Sequence, residues 1–519
     1  MATLKPRSPR LAALLSLGLF AIAGGAGGCG AGWPAVMDPT DIPGIREGSP
    51  RISRVRDLGS VHIGKAGPLN AESDGMITVG ELVLIEGSGF GKQPAVQIAG
   101  RPAEVRWRTD GGGIIVQVPL GTPAGSRRIS VEAAGRRAEA QVALSRLGLV
   151  LDTRRGLLHT VQIGGGDKPS IAAAGTDLRL GGARSMVLSS DGAAAYVLQS
   201  DERGDRVAII DVTAPGGPRL FDTRPLRHRA HSLAAAERAP VLAIVGSEQV
   251  TLWDTAEARR PSPWPVGALP DEAQASQEAA LDPSGTLLAL SIAEGNQVVL
   301  VDVRPGRTAV TPRLAGQLSA LPSARLPLLR GLRFASDGET LWLAAGDSAQ
   351  SRIAGHQPTR VLAVRVGAAE REGGQRTLSL LKNVELRELG APLQLAVGRA
   401  LPVASGTTIR TPPEQATLFL STVAPSAFER RPADAALWRS DSSGNTSALL
   451  ATKREILAAL DVTADASLAL TAGIAPGARG LTVTVSPTAG GTPASATLGP
   501  ADESDLAPPF DSLRIALQP

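Results

Sequence analysis

The sequence predicts an all-β chain built from two folded parts, a small two-sheet sandwich and a ring of short radial sheets. Three observations carry this. Nearly every apolar run is about four to eight residues long and bounded by Gly, Pro, Asp or Ser, the signature of short strands. Only 3% of the 519 residues are aromatic, so a core must come from Val, Leu, Ile and Ala, and long apolar runs at helical spacing are scarce. A strand–turn–strand pattern recurs through most of the C-terminal part, as repeat architectures require.

The first 28 residues carry Lys5, Arg7 and Arg10, then an uncharged run from Leu11 to Ala26. This reads as an export signal, to be set apart from the fold; it is shorter than the ~20 apolar residues of a spanning helix. Cys29 is the one cysteine of the chain and so has no intramolecular disulfide partner. With Ala26, Gly27 and Gly28 before it, the site resembles the lipobox of bacterial lipoproteins, a family that prefers leucine where Ala26 stands. The resemblance implies that Cys29 is acylated as the first residue of the mature chain, several acyl chains giving firm anchoring, and Gly30 after it points to the outer membrane. Without the signal, basic and acidic residues number 50 and 49, so a basic nucleic-acid footprint is absent. Residues 29–74, rich in Pro, Gly and charge, read as a flexible tether with one strand-like stretch, SVHIG.

Residues 75–145 pack strands closely: ITVGELVLIEG, PAVQIAG, AEVRWRT, GIIVQVP, RRISVEAAG and AEAQVAL. Alternation at Val116 and Val118 gives one inward and one outward face. The stretch GSGFGK invites a phosphate-loop reading, which fails. The first glycine of such a loop would fall at Glu86, Gln93 stands where a metal-binding hydroxyl belongs, and Pro94 opens a strand where a helix is needed. Gly87, Gly89, Phe90, Val96, Ile98 and Gly100, followed by Val118, Pro119, Gly121, Ala124 and Gly125, resemble the immunoglobulin-like IPT/TIG domain. That resemblance implies a spacer or accessory binding module.

Residues 146–519 repeat. RSMVLSSDGAAAYVLQS precedes RVAIIDV, EAALDPSGTLLALSI precedes QVVLVDV, RGLRFASDGETLWLAAG precedes RVLAVRV, and ILAALDVTADASLALTAG precedes LTVTVSP, with two weaker units between. Turns fall at Gly192, Gly285, Gly338 and near Ala466, and Asp211, Asp254 and Asp302 end third strands, where a carboxylate caps the following amides. Six units are counted. The terminal SLRIALQP aligns Ala516, Leu517 and Pro519 with Ala280, Leu281 and Pro283, and RLGLVLD with GLLHTVQI supplies the later strands of a seventh. The expected fold is a seven-bladed β-propeller closed by its own C-terminal strand, leaving no open edge at the joint. The D-G turns and the I-I-D-V and L-V-D-V strand ends resemble the YVTN and WD40-like propellers of bacterial surface proteins, which implies a binding platform.

Chemistry is sparse. Five histidines leave little room for a metal cage, so neither metal nor cofactor is expected. No G-x-S-x-G elbow occurs, and Arg203-Gly204-Asp205 reads as a turn. The candidate ligand loop is Arg227, His228, Arg229 and His231, between consecutive blades and able to receive an anionic group. The axis is expected to be lined mostly by Ala, Ser, Val and Leu. Together these lead to a non-catalytic, lipid-anchored envelope protein that binds a protein or polysaccharide partner through propeller loops. The alternative is a propeller enzyme, a lactonase or lyase, acting at the central channel.

Overall fold

A computed structural model describes short strands at Val36–Met37, Ile63–Gly64 and Gly67–Pro68, the strand Glu47–Gly59, and residues 76–518 except for loop segments, the longest being 348–358, 398–417, 424–434 and 500–512. Cys29, Ala466 and Pro519 lie outside the described residues. Those described are strands and turns, with one short 3-10 turn at Asp271–Ala273. No helix among them is long and apolar enough to cross a membrane.

The N-terminal part is a sandwich. One sheet has the order Val36–Met37, Val105–Thr109, Ile114–Gln117, Leu82–Phe90, Glu47–Gly59; the facing strands are Arg101–Ala103, Ala95–Ile98, Gly125–Ala133 and the first half of Arg136–Asp152. Alternating residues of both layers meet in one core, Val83, Ile85, Ile114 and Val116 against Val96, Ile98, Ile129 and Val131, with Phe90 2% exposed among them. The glycine-rich stretch is therefore the end of a strand. A Cβ on Gly87 would lie 2.0 Å from the Arg51 carbonyl oxygen and 2.5 Å from Cζ of Phe90, so glycine there lets the neighbouring strand and the Phe90 plug close up. The segment expected as a tether differs: Glu47–Gly59 pairs antiparallel with Leu82–Phe90 as an edge strand, so the sandwich begins well before residue 75. Its apolar residues Ile52, Val55 and Leu58 recur every three positions because register shifts interrupt the ladder at Ile52/Arg54 and Asp57/Gly59. Period-two reading passes over such a strand.

Arg136–Asp152 is a 17-residue strand that serves both parts. Its first half pairs with Gly125–Ala133 in the sandwich. Its second half pairs with Leu157–Gly164 on one side and with Leu513–Leu517 on the other, Gly148 opposite Leu517 and Asp152 opposite Leu513. With Ser170–Ala173 beyond Leu157–Gly164, these strands form a closing sheet whose innermost strand comes from the C-terminal segment.

Six four-stranded antiparallel sheets follow in sequence order among the described residues. Their first strands are Ala183–Leu188, Ala230–Ala235, Glu278–Leu281, Pro327–Phe334, Ala391–Val397 and Ile456–Val462. Each first strand touches the next, and Leu513–Leu517 touches both Ile456–Val462 and Ala183–Leu188, so the inner strands form a closed circle. This is the arrangement of a β-propeller. The core lies between adjacent sheets: Tyr196, Leu198, Val207 and Ile209 of the first pack on Leu233, Leu242, Ile244 and Trp253 of the second. Leu288 and Leu290 of the third likewise meet Ala243, Val245 and Leu252. Second strands are covered on both faces, which is why VLAIVG and LLALSI are continuous apolar runs and every residue of both is buried.

The turns follow the local chemistry of the sequence. Gly192, Gly285 and Gly338 have φ of 72°, 73° and 71°, the left-handed region open to glycine. At the start of three turns a side chain holds the far amides: Ser189 Oγ accepts from Ala194 N at 3.0 Å, Asp282 Oδ1 from Thr286 N and Leu287 N at 2.7 and 2.6 Å, and Thr463 Oγ1 from Ser467 N and Leu468 N at 3.0 Å. Asp254 and Asp302 cap the turns after third strands, accepting from Ala256 N at 2.9 Å and Arg304 N at 3.2 Å.

Candidate functional site in the central channel

The inner strands enclose an axial channel of about 280 Å³. Its lining follows from counting back along each inner strand from the residue that opens the turn, which is Ser189, Ala236, Asp282, Ala335, Thr463 or Gln518. Two places before it stand Val187, Ala234, Ala280, Arg333, Asp461 and Ala516, all lining the channel. Small side chains dominate, since strand edges converge there, and Arg333 and Asp461 break the pattern. Four and five places before it, at the end where the strands begin, stand Arg184, His231, Glu278 and Arg514. They come from four consecutive sheets of the circle: closing, first, second and third.

The acids are tied into the ring. Glu278 Oε2 accepts from Leu332 N of the next sheet at 3.0 Å, and Asp461 Oδ2 accepts from Leu517 N of the closing strand at 2.9 Å. The arginines also reach backbone carbonyls. Arg333 Nη1 donates to the Leu332 carbonyl at 2.9 Å, and Arg514 Nη1 to the Leu513 carbonyl at 2.9 Å. Arg184 and Arg333 have no carboxylate partner among the described residues. His231 Nε2 lies 3.2 Å from Ser276 Oγ, and its buried Nδ1 has no hydrogen-bond partner. Burial holds its imidazole below the usual range, so it is neutral at pH 7.

The loop singled out in the sequence is divided. Arg227 is exposed. His228 is half-buried, its Nδ1 3.4 Å from Thr251 Oγ1, and burial lowers its pKa. Arg229 pairs with Asp205 at 3.0 Å. Only His231, of these four, lines the channel. Asp205 belongs to the Arg-Gly-Asp triplet, which forms a hairpin turn with Gly204 at φ 132°. Asp205 is 4% exposed, and its carboxylate holds Ser200 Oγ at 2.6 Å and Ala230 N of the second sheet at 2.6 Å. Asp205 therefore joins two sheets and is not presented outward.

The axis thus carries the expected Ala, Ser, Val and Leu together with seven ionisable groups, Glu237 at the far end included, that sequence reading did not single out as a set, apart from His231. A signal existed: Arg333 in RGLRF and Asp461 in ILAALDV occupy the place where the other aligned repeats carry alanine or valine. Among the described residues no cluster of three His, Cys, Asp or Glu side chains could hold a metal ion.

No protein-family model matches the chain, and no curated protein matches it. Solved structures with a similar fold include a provisionally assigned 6-phosphogluconolactonase from Bacteroides fragilis, 13% identical with a TM-score of 0.46 over 72% of this chain and 98% of that one. Another from Bacteroides uniformis is 11% identical with a TM-score of 0.46, covering 72% and 99%. A β-propeller domain from Myceliophteria thermophila is 14% identical with a TM-score of 0.40, covering 66% and 95%. Similarity this distant does not carry an activity from one chain to another.

Proposed function

We propose that this chain is a non-catalytic, lipid-anchored scaffold of the bacterial cell envelope, comprising a sandwich of the IPT/TIG kind and a propeller of seven blades, six complete sheets and one shared between the two ends. It holds an envelope protein or polysaccharide through propeller loops, with the sandwich as spacer or accessory module. The observation that carries the reading is the closed circle of inner strands, which holds the loops of all the sheets in fixed relation around one mouth. The anchor rests on Cys29 and the segment before it. Cys29→Ser and cell fractionation test the anchor: the variant should leave the membrane fraction, and unchanged retention would overturn it. Capture from an envelope extract with the full-length chain should return one partner that Arg227→Glu, on the exposed loop, weakens several-fold. A capture insensitive to every loop substitution would overturn the loop assignment.

One observation favours a second reading, a lactonase or lyase acting in the channel: Arg184, His231, Glu278, Arg333, Asp461 and Arg514 all line it. A lactone panel separates the two. Turnover abolished by Glu278→Gln puts the enzyme first, whereas no turnover of any lactone leaves the scaffold.

A further inference from the structure

We infer that the end of the channel bounded by Arg184, His231 and Arg514, with Arg333 deeper in, binds a small oxyanion: a carboxylate or phosphate group on a compact molecule. The inference depends neither on the lipid anchor nor on a macromolecular partner. Size comes first. About 280 Å³ lies just under the usual range of small-molecule sites, ~300–1,000 Å³, so the channel takes a compact ligand and no folded partner.

Charge comes second. Of the acids lining the channel, Glu278 and Asp461 each have an oxygen engaged by a backbone N–H of the neighbouring sheet. Glu237 lies beyond the far ends of the inner strands, one residue past the turn-opening Ala236. Arg184 and Arg333 keep guanidinium donors with no carboxylate opposite among the described residues. A guanidinium offers a planar fork of N–H donors that matches a carboxylate or phosphate bidentately. The walls of Ala234, Ala280, Ala396 and Ala516 bring no side-chain acceptor to compete with a bound anion.

Arrangement comes third. Arg514, Arg184 and His231 come from three consecutive sheets at the same depth, so their side chains form an arc on one side of the axis. His231 adds a neutral imidazole whose Nδ1 lacks a partner and can meet a ligand hydroxyl or oxyanion. Glu278, on the next sheet, closes the arc with an acceptor for a hydroxyl. Such a pattern selects a small polar anion over a purely apolar molecule.

The test is calorimetric titration of the full-length chain in detergent with two probes, inorganic phosphate and citrate, each against sodium chloride of equal ionic strength. At least one probe should bind. Binding of phosphate alone assigns the phosphate class, and binding of citrate alone the carboxylate class. Arg184→Gln and Arg514→Gln should each weaken binding tenfold or more, while Arg128→Gln, at an exposed position of the sandwich, stays within twofold. Should either channel variant fail to fold, phenylglyoxal modification of the unmutated protein gives the answer: bound probe should slow reaction at Arg184 and Arg514 but not at Arg128. Absence of binding beyond the salt control, equal protection of all three arginines, or wild-type affinity in folded channel variants would overturn the assignment.

Discussion

Single carboxylates hold this ring together. Asp205, Glu278 and Asp461 each reach from one sheet to a backbone N–H at the inner strand of the next. Burial alone would raise the Asp205 carboxyl, but hydrogen bonds from Ser200, Ala230 N and Arg229 outweigh it and hold it below the usual carboxylate range. A depressed native pKa means stability that is complete above the unfolded value, ~3.9, and is lost as pH falls through the native value. Asp205→Ala should therefore lower stability at neutral pH by about 1–3 kcal/mol, the cost of leaving buried donors unmet. Asp205→Asn should flatten the acid limb of a Tm-against-pH series. An unchanged acid limb would show that the carboxylate contributes no pH-dependent stability. His231 works in the same direction for a different reason. Its native pKa is held down by burial, so acidification must charge a buried ring, and His231→Asn should move the onset of acid unfolding to lower pH. None of these roles was legible in sequence. Asp205 sat in a familiar triplet, and inter-sheet pairing across the circle leaves no local signature.

At the scale of elements, the first three strands of five sheets were legible and the fourth was not; in the fifth sheet Leu418–Val423 is the second strand and the third, Ala435–Ser440, was not read from the sequence. The fourth strands, such as RLFDTRP and ASATL, run along the outer rim, half-buried or exposed except for single residues such as Leu498, and so lack the apolar run that marks the inner three. Edge strand Glu47–Gly59 escaped for the related reason of its irregular ladder. Closure by the C-terminal strand was legible, because SLRIALQP repeats the residues that precede a turn elsewhere. Its end is pinned by Gln518, fully buried, whose Oε1 accepts from Leu147 N at 2.9 Å while Nε2 donates to Gly192 O at 3.3 Å and Val79 O at 3.5 Å. Gln518→Ala should cost about 1–3 kcal/mol in a urea titration. Deleting residues 513–519 should cost far more, exposing Leu149, Leu151 and their neighbours together. Gly331 gives a sharper check. Its φ is 67° and an added Cβ would lie 2.3 Å from Cβ of Leu395 on the next sheet, so Gly331→Ala should destabilise by roughly 2–4 kcal/mol. A loss under about 0.5 kcal/mol would mean that the two inner strands approach less closely than described.

For the whole molecule, the decisive feature is the strand Arg136–Asp152, which belongs to the sandwich and to the closing sheet without a break. The turn of the sandwich also presses on the ring: a Cβ on Gly80 would lie 2.6 Å from the Asp191 carbonyl oxygen. Two domains joined by a linker would unfold separately; here calorimetry should give one transition for sandwich and propeller together, and two resolved transitions would contradict the shared strand. Sequence reading placed a boundary at residue 145, but hydrophobic patterning records which faces are covered and not whether a strand continues from one sheet into another. The order of synthesis matters too. The backbone of Gly148–Asp152 emerges early, while its partner Leu513–Leu517 is made only after all six intervening sheets. Until then every nascent molecule displays an adhesive ribbon, and crowding with its siblings in that interval is the hazard that a holdase chaperone would be needed to suppress.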